Sequence, residues 1–128
     1  MRKKSKVKLE KSKYRAEVRF IRISPSKVRR VAKILRKKPY PLALATLEAL
    51  PHKGARYLKK VIISAVSNAL YKNDKLDENL LYIKNIQVKE GPRMKRVWVR
   101  ARGRADQLQK RLCHIAVVID EIREAGKK

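Results

Sequence analysis

Residues 93–104 carry six positive side chains and no negative one: Arg93, Lys95, Arg96, Arg100, Arg102 and Arg104. The stretch follows Gly91-Pro92 and contains Gly103. A segment so charged cannot bury enough apolar surface to offset the entropy of ordering it. Yet it lies between two strand-like apolar runs, residues 80–88 and 113–122. The combination predicts an arm held out from a globular domain and ordered by a polyanion.

The rest of the chain points the same way. With 36 Lys and Arg against 11 Asp and Glu, the net charge is +25 over 128 residues. Such self-repulsion calls for a counter-charged partner. Phosphate backbones supply it, because each phosphate neutralised releases condensed counterions. An anionic membrane prefers basic residues beside an apolar anchor or on one amphipathic helix, whereas here the charge is spread along the chain. The longest unbroken apolar run, residues 115–119, is far too short to span a bilayer. No membrane insertion and no secretory signal are expected. A single cysteine excludes an intrachain disulfide framework and suits a reducing compartment.

Residues 1–15 hold eight Lys and Arg and one Glu without periodicity, which reads as a basic tail, taken as residues 1–13 in the domain division. Residues 14–128 then read as one globular domain, with the arm at about 84–112. Residues 14–23 read as a strand in which Ala16, Val18 and Phe20 alternate. Phe20-Ile21 breaks the period, as a bulge would. Ser24-Pro25 opens a helix, with serine as cap and proline at the first helical position. Val28, Val31, Ala32 and Leu35 share one face of it, and Pro39 is expected to end it. Its other faces carry Lys27, Arg29, Arg30, Lys33, Arg36, Lys37 and Lys38 with no acid among them. Solvation and polyanion binding both account for that face.

Residues 41–50 form a short apolar helix stopped by Pro51, and residues 54–71 form the longest helix. Its stripe is Ala55, Leu58, Ile62, Ala65, Val66 and Ala69, small enough for close packing on a sheet. In the last strand, Ile115, Val117 and Ile119 share a face. The connection over residues 89–112 is 24 residues long, too long for a tight turn. As a two-stranded ribbon, each leg of about 12 residues would reach about 40 Å. A lone ribbon is marginal in water and needs support.

Catalytic chemistry finds little footing. Cys113 and His114 are adjacent, but strand alternation points them to opposite faces, and with only His52 besides there is no zinc set. Asp74, Asp77 and Glu78 could hold magnesium or simply form a polar helix exit. No Gly-rich phosphate loop and no nucleophile with a base appears. The expectation is no enzyme, no catalytic residue, no metal and no cofactor. Five of the arm's six charges are arginine, whose planar fork binds phosphate and stacks on bases. Trp98 among them has three uses open to it: stacking on an unpaired base, filling a groove, or a cross-strand contact.

Four segments together resemble one family. Ile23-Ser24-Pro25-Ser26-Lys27-Val28-Arg29 resembles the opening of large-subunit ribosomal protein number twenty-two of the universal set. Lys60-Val61-Ile62-Ile63-Ser64-Ala65-Val66-Ser67-Asn68-Ala69 resembles its long helix. Glu90-Gly91-Pro92-Arg93-Met94-Lys95-Arg96 and Arg100-Ala101-Arg102-Gly103-Arg104-Ala105 resemble its arm, and Lys110-Arg111-Leu112-Cys113-His114-Ile115 its return strand. Order and spacing hold from about residue 14 to 122. Val99 stands where the family usually has proline, and Leu112-Cys113 replaces the usual Thr-Ser.

The resemblance implies an α+β fold: a small antiparallel three-stranded sheet packed on three helices, with a long basic β-hairpin extension. It implies a structural protein of the large ribosomal subunit whose partners are large-subunit rRNA, neighbouring large-subunit proteins and the nascent peptide in the exit tunnel, in bacterial cytoplasm or an organelle. By position it assigns rRNA contacts to Arg22, Ser24, Lys27, Arg29, Arg30, Lys60, Asn68, Arg93, Lys95, Arg96, Trp98, Arg100, Lys110 and Arg111. It puts Met94, Arg102, Gly103 and Arg104 at the tunnel tip. A DNA-architectural protein with a basic β-arm is the alternative from charge alone. A nuclease would need convergent carboxylates, and only Asp74, Asp77 and Glu78 could serve.

Overall fold

In a computed structural model of the chain, residues 14–122 are described. They form β1 (Tyr14–Ile21), α1 (Pro25–Leu35), α2 (Tyr40–Ala49), α3 (Lys53–Lys72), a 3-10 turn (Glu78–Leu80), β2 (Leu81–Val99) and β3 (Ala105–Glu121). The sheet is antiparallel in the order β1-β3-β2, so β3 is central and both other strands are edges. This is the α+β arrangement of three helices and three strands.

The core lies between one face of the sheet and the helices. Cys113, Ile115, Val117 and Ile119 of β3 point into it and are essentially inaccessible. Leu58, Ile62, Ala65 and Ala69 of α3 and Val28, Val31 and Leu35 of α1 meet them. The small residues of α3 let its backbone approach the sheet, while Leu58 and Ile62 fill volume; truncating either to Ala costs about 2–5 kcal/mol. On the opposite face Ala116 and Val118 are also buried. Their ladder neighbours are Glu17 and Gln87, and Arg15 and Asn85.

Three irregularities in the ladder shape the molecule. The pairing steps from Val18↔Ile115 to Ile21↔Cys113, so β1 carries one extra residue there. That bulge absorbs the Phe20-Ile21 doublet and returns Ile21 to the core. The second lies between Ile83 and Asn85 on β2. There the chain after α1 docks against the sheet edge, with Lys37 N–H to Ile83 O at 2.9 Å and Ile83 N–H to Lys38 O at 3.0 Å. This pairing ends α1 at Leu35 rather than at Pro39, with Lys37 at φ 62° turning the chain. It also covers part of an edge otherwise open to another strand.

The third irregularity, between Glu90 and Arg93, is the root of the arm. Gly91-Pro92 is the bulged pair, facing Leu112. A β-carbon on Gly91 would lie 3.2 Å from Leu112 backbone atoms, a close approach that glycine permits. Proline is tolerated because β2 is an edge strand and the site is a bulge. Beyond it the ladder runs unbroken from Arg93↔Arg111 to Val99↔Ala105. The connection over residues 89–112 is therefore mostly strand. Its length beyond the root is seven ladder pairs, about 20 Å at roughly 3.3 Å per residue step, shorter than the 40 Å expected from a count that began at Lys89. Residues 1–13, the basic tail, lie outside the described residues; Tyr14 and Arg15 belong to β1 instead.

Candidate nucleic-acid interface

Where the arm leaves the sheet, three separated segments meet. Arg22, Ile23, Ser24 and Lys27 come from the entry to α1, Lys53 from the first turn of α3, and Met94, Arg96, Lys110 and Arg111 from the two legs of the arm. They line a cavity of about 480 Å³. Six of the nine lining residues are cations and none is acidic.

Two helix N-termini add to this positive wall. Ser24 is the cap position of α1, but its hydroxyl pairs with Ser26 Oγ at 2.8 Å instead of the first-turn amides. The expected serine cap is thus absent. α3 also starts without a side-chain cap, and neither helix has an acid in its first turn. A helix start with neither a side-chain cap nor an acid leaves the positive end of the helix dipole unopposed, which favours an anion.

The arm extends this surface. By strand alternation Met94, Arg96 and Trp98 share one face, with Lys110, Leu108 and Asp106 directly opposite. Met94, Arg96 and Lys110 line the groove, so Trp98 continues the same face outward. Trp98 is 53% exposed and sits across from Asp106. Among the described residues the one ring–ring contact is Phe20–His114, so Trp98 meets no aromatic partner across the strands.

At the end, Arg104 N–H bonds Ala101 O at 3.4 Å and Arg100 N–H bonds Arg104 O at 2.8 Å. The two central residues, Arg102 and Gly103, have φ of 58° and 67°. Positive φ at both central positions is the type I′ requirement, which glycine meets without strain and arginine does not. Val99, where the family usually has proline, is an ordinary strand residue paired with Ala105.

Charge compensation differs from the linear reading. Glu90 lies 3.2 Å from Arg93, and Asp106 lies 2.7 Å from Arg100. These acids flank the segment in sequence and fold back on it. Among the described residues Lys95, Arg96, Arg102 and Arg104 have no acidic partner, so uncompensated charge sits at the groove (Arg96), at the turn (Arg102 and Arg104) and, with Lys95, on the arm's other face.

Several assigned residues have intramolecular roles. Arg29 donates to Val88 O, and Glu90 is within 3.6 Å. Asn68 Nδ2 donates to Arg15 O at 3.2 Å, tying α3 to the edge of β1. Lys60 is exposed on α3 above Ala16, Glu17 and Val18. The Glu17 carboxyl, which burial alone would raise, is held below its ordinary range by Arg19 and Arg15. Arg30 is exposed on α1, outside the groove lining. Met94 pairs with Lys110, five ladder steps inside Val99↔Ala105. It belongs to the groove, about 17 Å short of the turn, and is separated from Arg102, Gly103 and Arg104. Lys53 is the groove cation that sequence reasoning missed. Its position at the start of α3, just before Gly54, was the available signal.

A larger groove of about 770 Å³ runs between α1 and β2, with Arg29, Lys33, Arg36 and Lys89 in its lining. Arg29 crosses it to reach the strand. Cys113 is buried, and desolvation raises its thiol pKa against the opposing pull of Arg29. His114 sits on the other face, as alternation requires. Among the described residues no three His, Cys, Asp or Glu side chains are placed to hold a metal. No described helix is long and apolar enough to cross a membrane.

Comparison with known proteins agrees with this architecture. Residues 16–120 match the family described as Ribosomal protein L22p/L17e. The chain is 54% identical over 112 residues to a "Large ribosomal subunit protein uL22" of Treponema denticola, covering 88% of this chain and 95% of that protein. It is 52% identical to the protein of the same name from Treponema pallidum, over 88% and 90% of the two chains. Against that of Borreliella afzelii the identity is 47%, over 87% and 92%. A match running from β1 to the end of β3, arm included, makes this chain a member of the ribosomal protein L22p/L17e family.

Proposed function

We propose that the protein is a structural, non-catalytic component of the large ribosomal subunit that docks on large-subunit rRNA through the groove at the arm's root. From there the Trp98 face of the arm follows the RNA, and the turn at Arg102, Gly103 and Arg104 reaches the wall of the nascent-peptide exit tunnel. The observation that carries the docking is the convergence of six cations and two uncapped helix starts with no acid in the lining. Such a surface attracts a phosphate backbone wherever it bends. The tunnel assignment rests on the family resemblance, with the uncompensated Arg102 and Arg104 as its support. Neighbouring large-subunit proteins and the nascent peptide complete the partners, in the cytoplasm of a bacterium like those of its relatives.

The test compares two charge reversals. Lys27→Glu with Arg30→Glu should lower occupancy of the protein in sedimented large subunits. Arg104→Glu should assemble normally but change pausing on some nascent chains, because low-dielectric walls weaken screening in a narrow passage. Blocked incorporation of Arg104→Glu, with normal assembly of the helix variant, would reverse the two assignments.

A further inference from the structure

Phe20 is the most conspicuous apolar side chain that neither the core nor the groove uses. It sits in the β1 bulge with φ 57°, and the residue is 61% exposed. A bulky aromatic at positive φ is a backbone outlier, and a fold keeps one only when its surroundings impose it. Here His114 imposes it. The Phe20 N–H bonds His114 Nδ1 at 2.9 Å, and the two rings meet edge to face with centroids 4.8 Å apart at 84°. The edge of one ring is used in this contact, and the exposure of Phe20 leaves the rest of its surface to solvent.

The bulge therefore does more than restore register: it turns an aromatic ring outward and locks it. The neighbourhood is cationic. Arg19 precedes it, exposed despite its ion pair with Glu17, and Arg22, a groove residue, lies two positions on. An exposed, rigidly held π-face beside phosphate-binding cations is the arrangement that holds an unpaired nucleobase. We infer that the Phe20–His114 pair is a stacking platform for one unpaired base of the rRNA whose backbone occupies the groove. The inference rests on the rRNA-binding reading above. It adds that the interaction is with a base as well as with phosphates. Charge argues for RNA over an apolar pocket of a neighbouring protein, since such a pocket would have to bury Arg19 and Arg22 along with the ring.

The test is binding to a large-subunit rRNA transcript across a salt series, with thermal unfolding of each free variant. Phe20→Leu keeps an apolar side chain but removes the π-face, and should weaken binding about five- to 100-fold. Its salt slope should match wild type, because no phosphate contact is lost. Phe20→Tyr should bind within about twofold of wild type. Phe20→Asn, whose short side chain suits positive φ, should melt at or above wild type yet bind as poorly as Phe20→Leu. Wild-type affinity for Phe20→Leu would overturn the platform and leave the groove standing. So would Phe20→Asn melting well below wild type with unchanged binding, which would make the residue structural. Normal rRNA binding by Phe20→Leu with failed entry into subunits would assign the ring to a protein pocket instead. Failure of wild type itself to bind the transcript would reject the rRNA reading and the platform together.

Discussion

Arg29 of α1 grips the carbonyl of Val88 on β2, through Nε at 3.4 Å and Nη2 at 3.2 Å. Its third nitrogen faces Glu90 at 3.6 Å. The first turns of α1 are thereby fastened to the strand that becomes the arm, three residues before the Gly91-Pro92 bulge. Positions on α1 and on the arm that wall the groove are held in one geometry by this contact. A planar fork suits the purpose, and a lysine ammonium would reach one acceptor at a time.

Arg29→Leu should lower stability by about 1 kcal/mol, since the guanidinium is half exposed and solvent discounts the bond. The melting temperature should drop by a few degrees, roughly 2–8 °C for domains of this class. Arg29→Lys should recover part of the loss. Thermal unfolding by circular dichroism measures both, and an unchanged melting temperature would show that the contact carries no stability.

The turn makes a separate prediction. No atom lies within 4 Å of where a β-carbon on Gly103 would sit, so the penalty for Gly103→Ala comes from its φ of 67° alone. That penalty is about 1–2 kcal/mol and should appear as local fraying. Arg102→Asn should have the opposite effect, because Asn-Gly is the favoured type I′ pair. Hydrogen exchange at the Arg100 and Arg104 amides should be faster in the first variant and slower in the second. Equal rates in all three proteins would contradict the turn geometry.

No residue over 91–111 is buried, so the arm contributes little to the core. Replacing residues 94–110 by Asn-Gly would close the ladder on the Arg93↔Arg111 pair. The shortened protein should unfold cooperatively, within a few degrees of wild type, while binding rRNA more weakly through what remains of the groove. Loss of cooperativity in a thermal melt would place the arm in the folding unit.

Much of this was legible in the sequence, for physical reasons. The stripe on α3, the apolar face of α1 and the alternation of β3 follow from burial on one side of a regular element, which periodicity records directly. The β1 bulge showed as a doublet that broke the period. The end of α1 did not show, because pairing of Lys37 and Lys38 with Ile83 is a contact between segments far apart in the chain. The arm's strand character was expected from its length and from the family resemblance, not from its pattern. Lys95, Val97 and Val99 alternate against Arg96 and Trp98 without a buried face, so hydrophobic periodicity has nothing to report. The groove required Arg22, Lys53, Met94 and Lys110 to meet, and no local pattern links them. Likewise the acids that neutralise Arg93 and Arg100 stand outside the charged segment and were not counted with it. Arg29 and Asn68 were placed at the RNA by family position; the hydrogen bonds their side chains make to strands within the protein had no signal in the sequence.

The central claim is that phosphates occupy the groove, and the salt dependence of rRNA binding tests it most directly. For wild type, log K against log salt should fall steeply and linearly, with a loss of about 10³–10⁵ in affinity between roughly 50 and 200 mM if about six to ten phosphates are neutralised. Lys27→Gln, Lys53→Gln and Lys110→Gln should each reduce the slope by about one, and the triple variant by about three. A triple variant with wild-type slope and affinity would mean that the RNA backbone lies elsewhere.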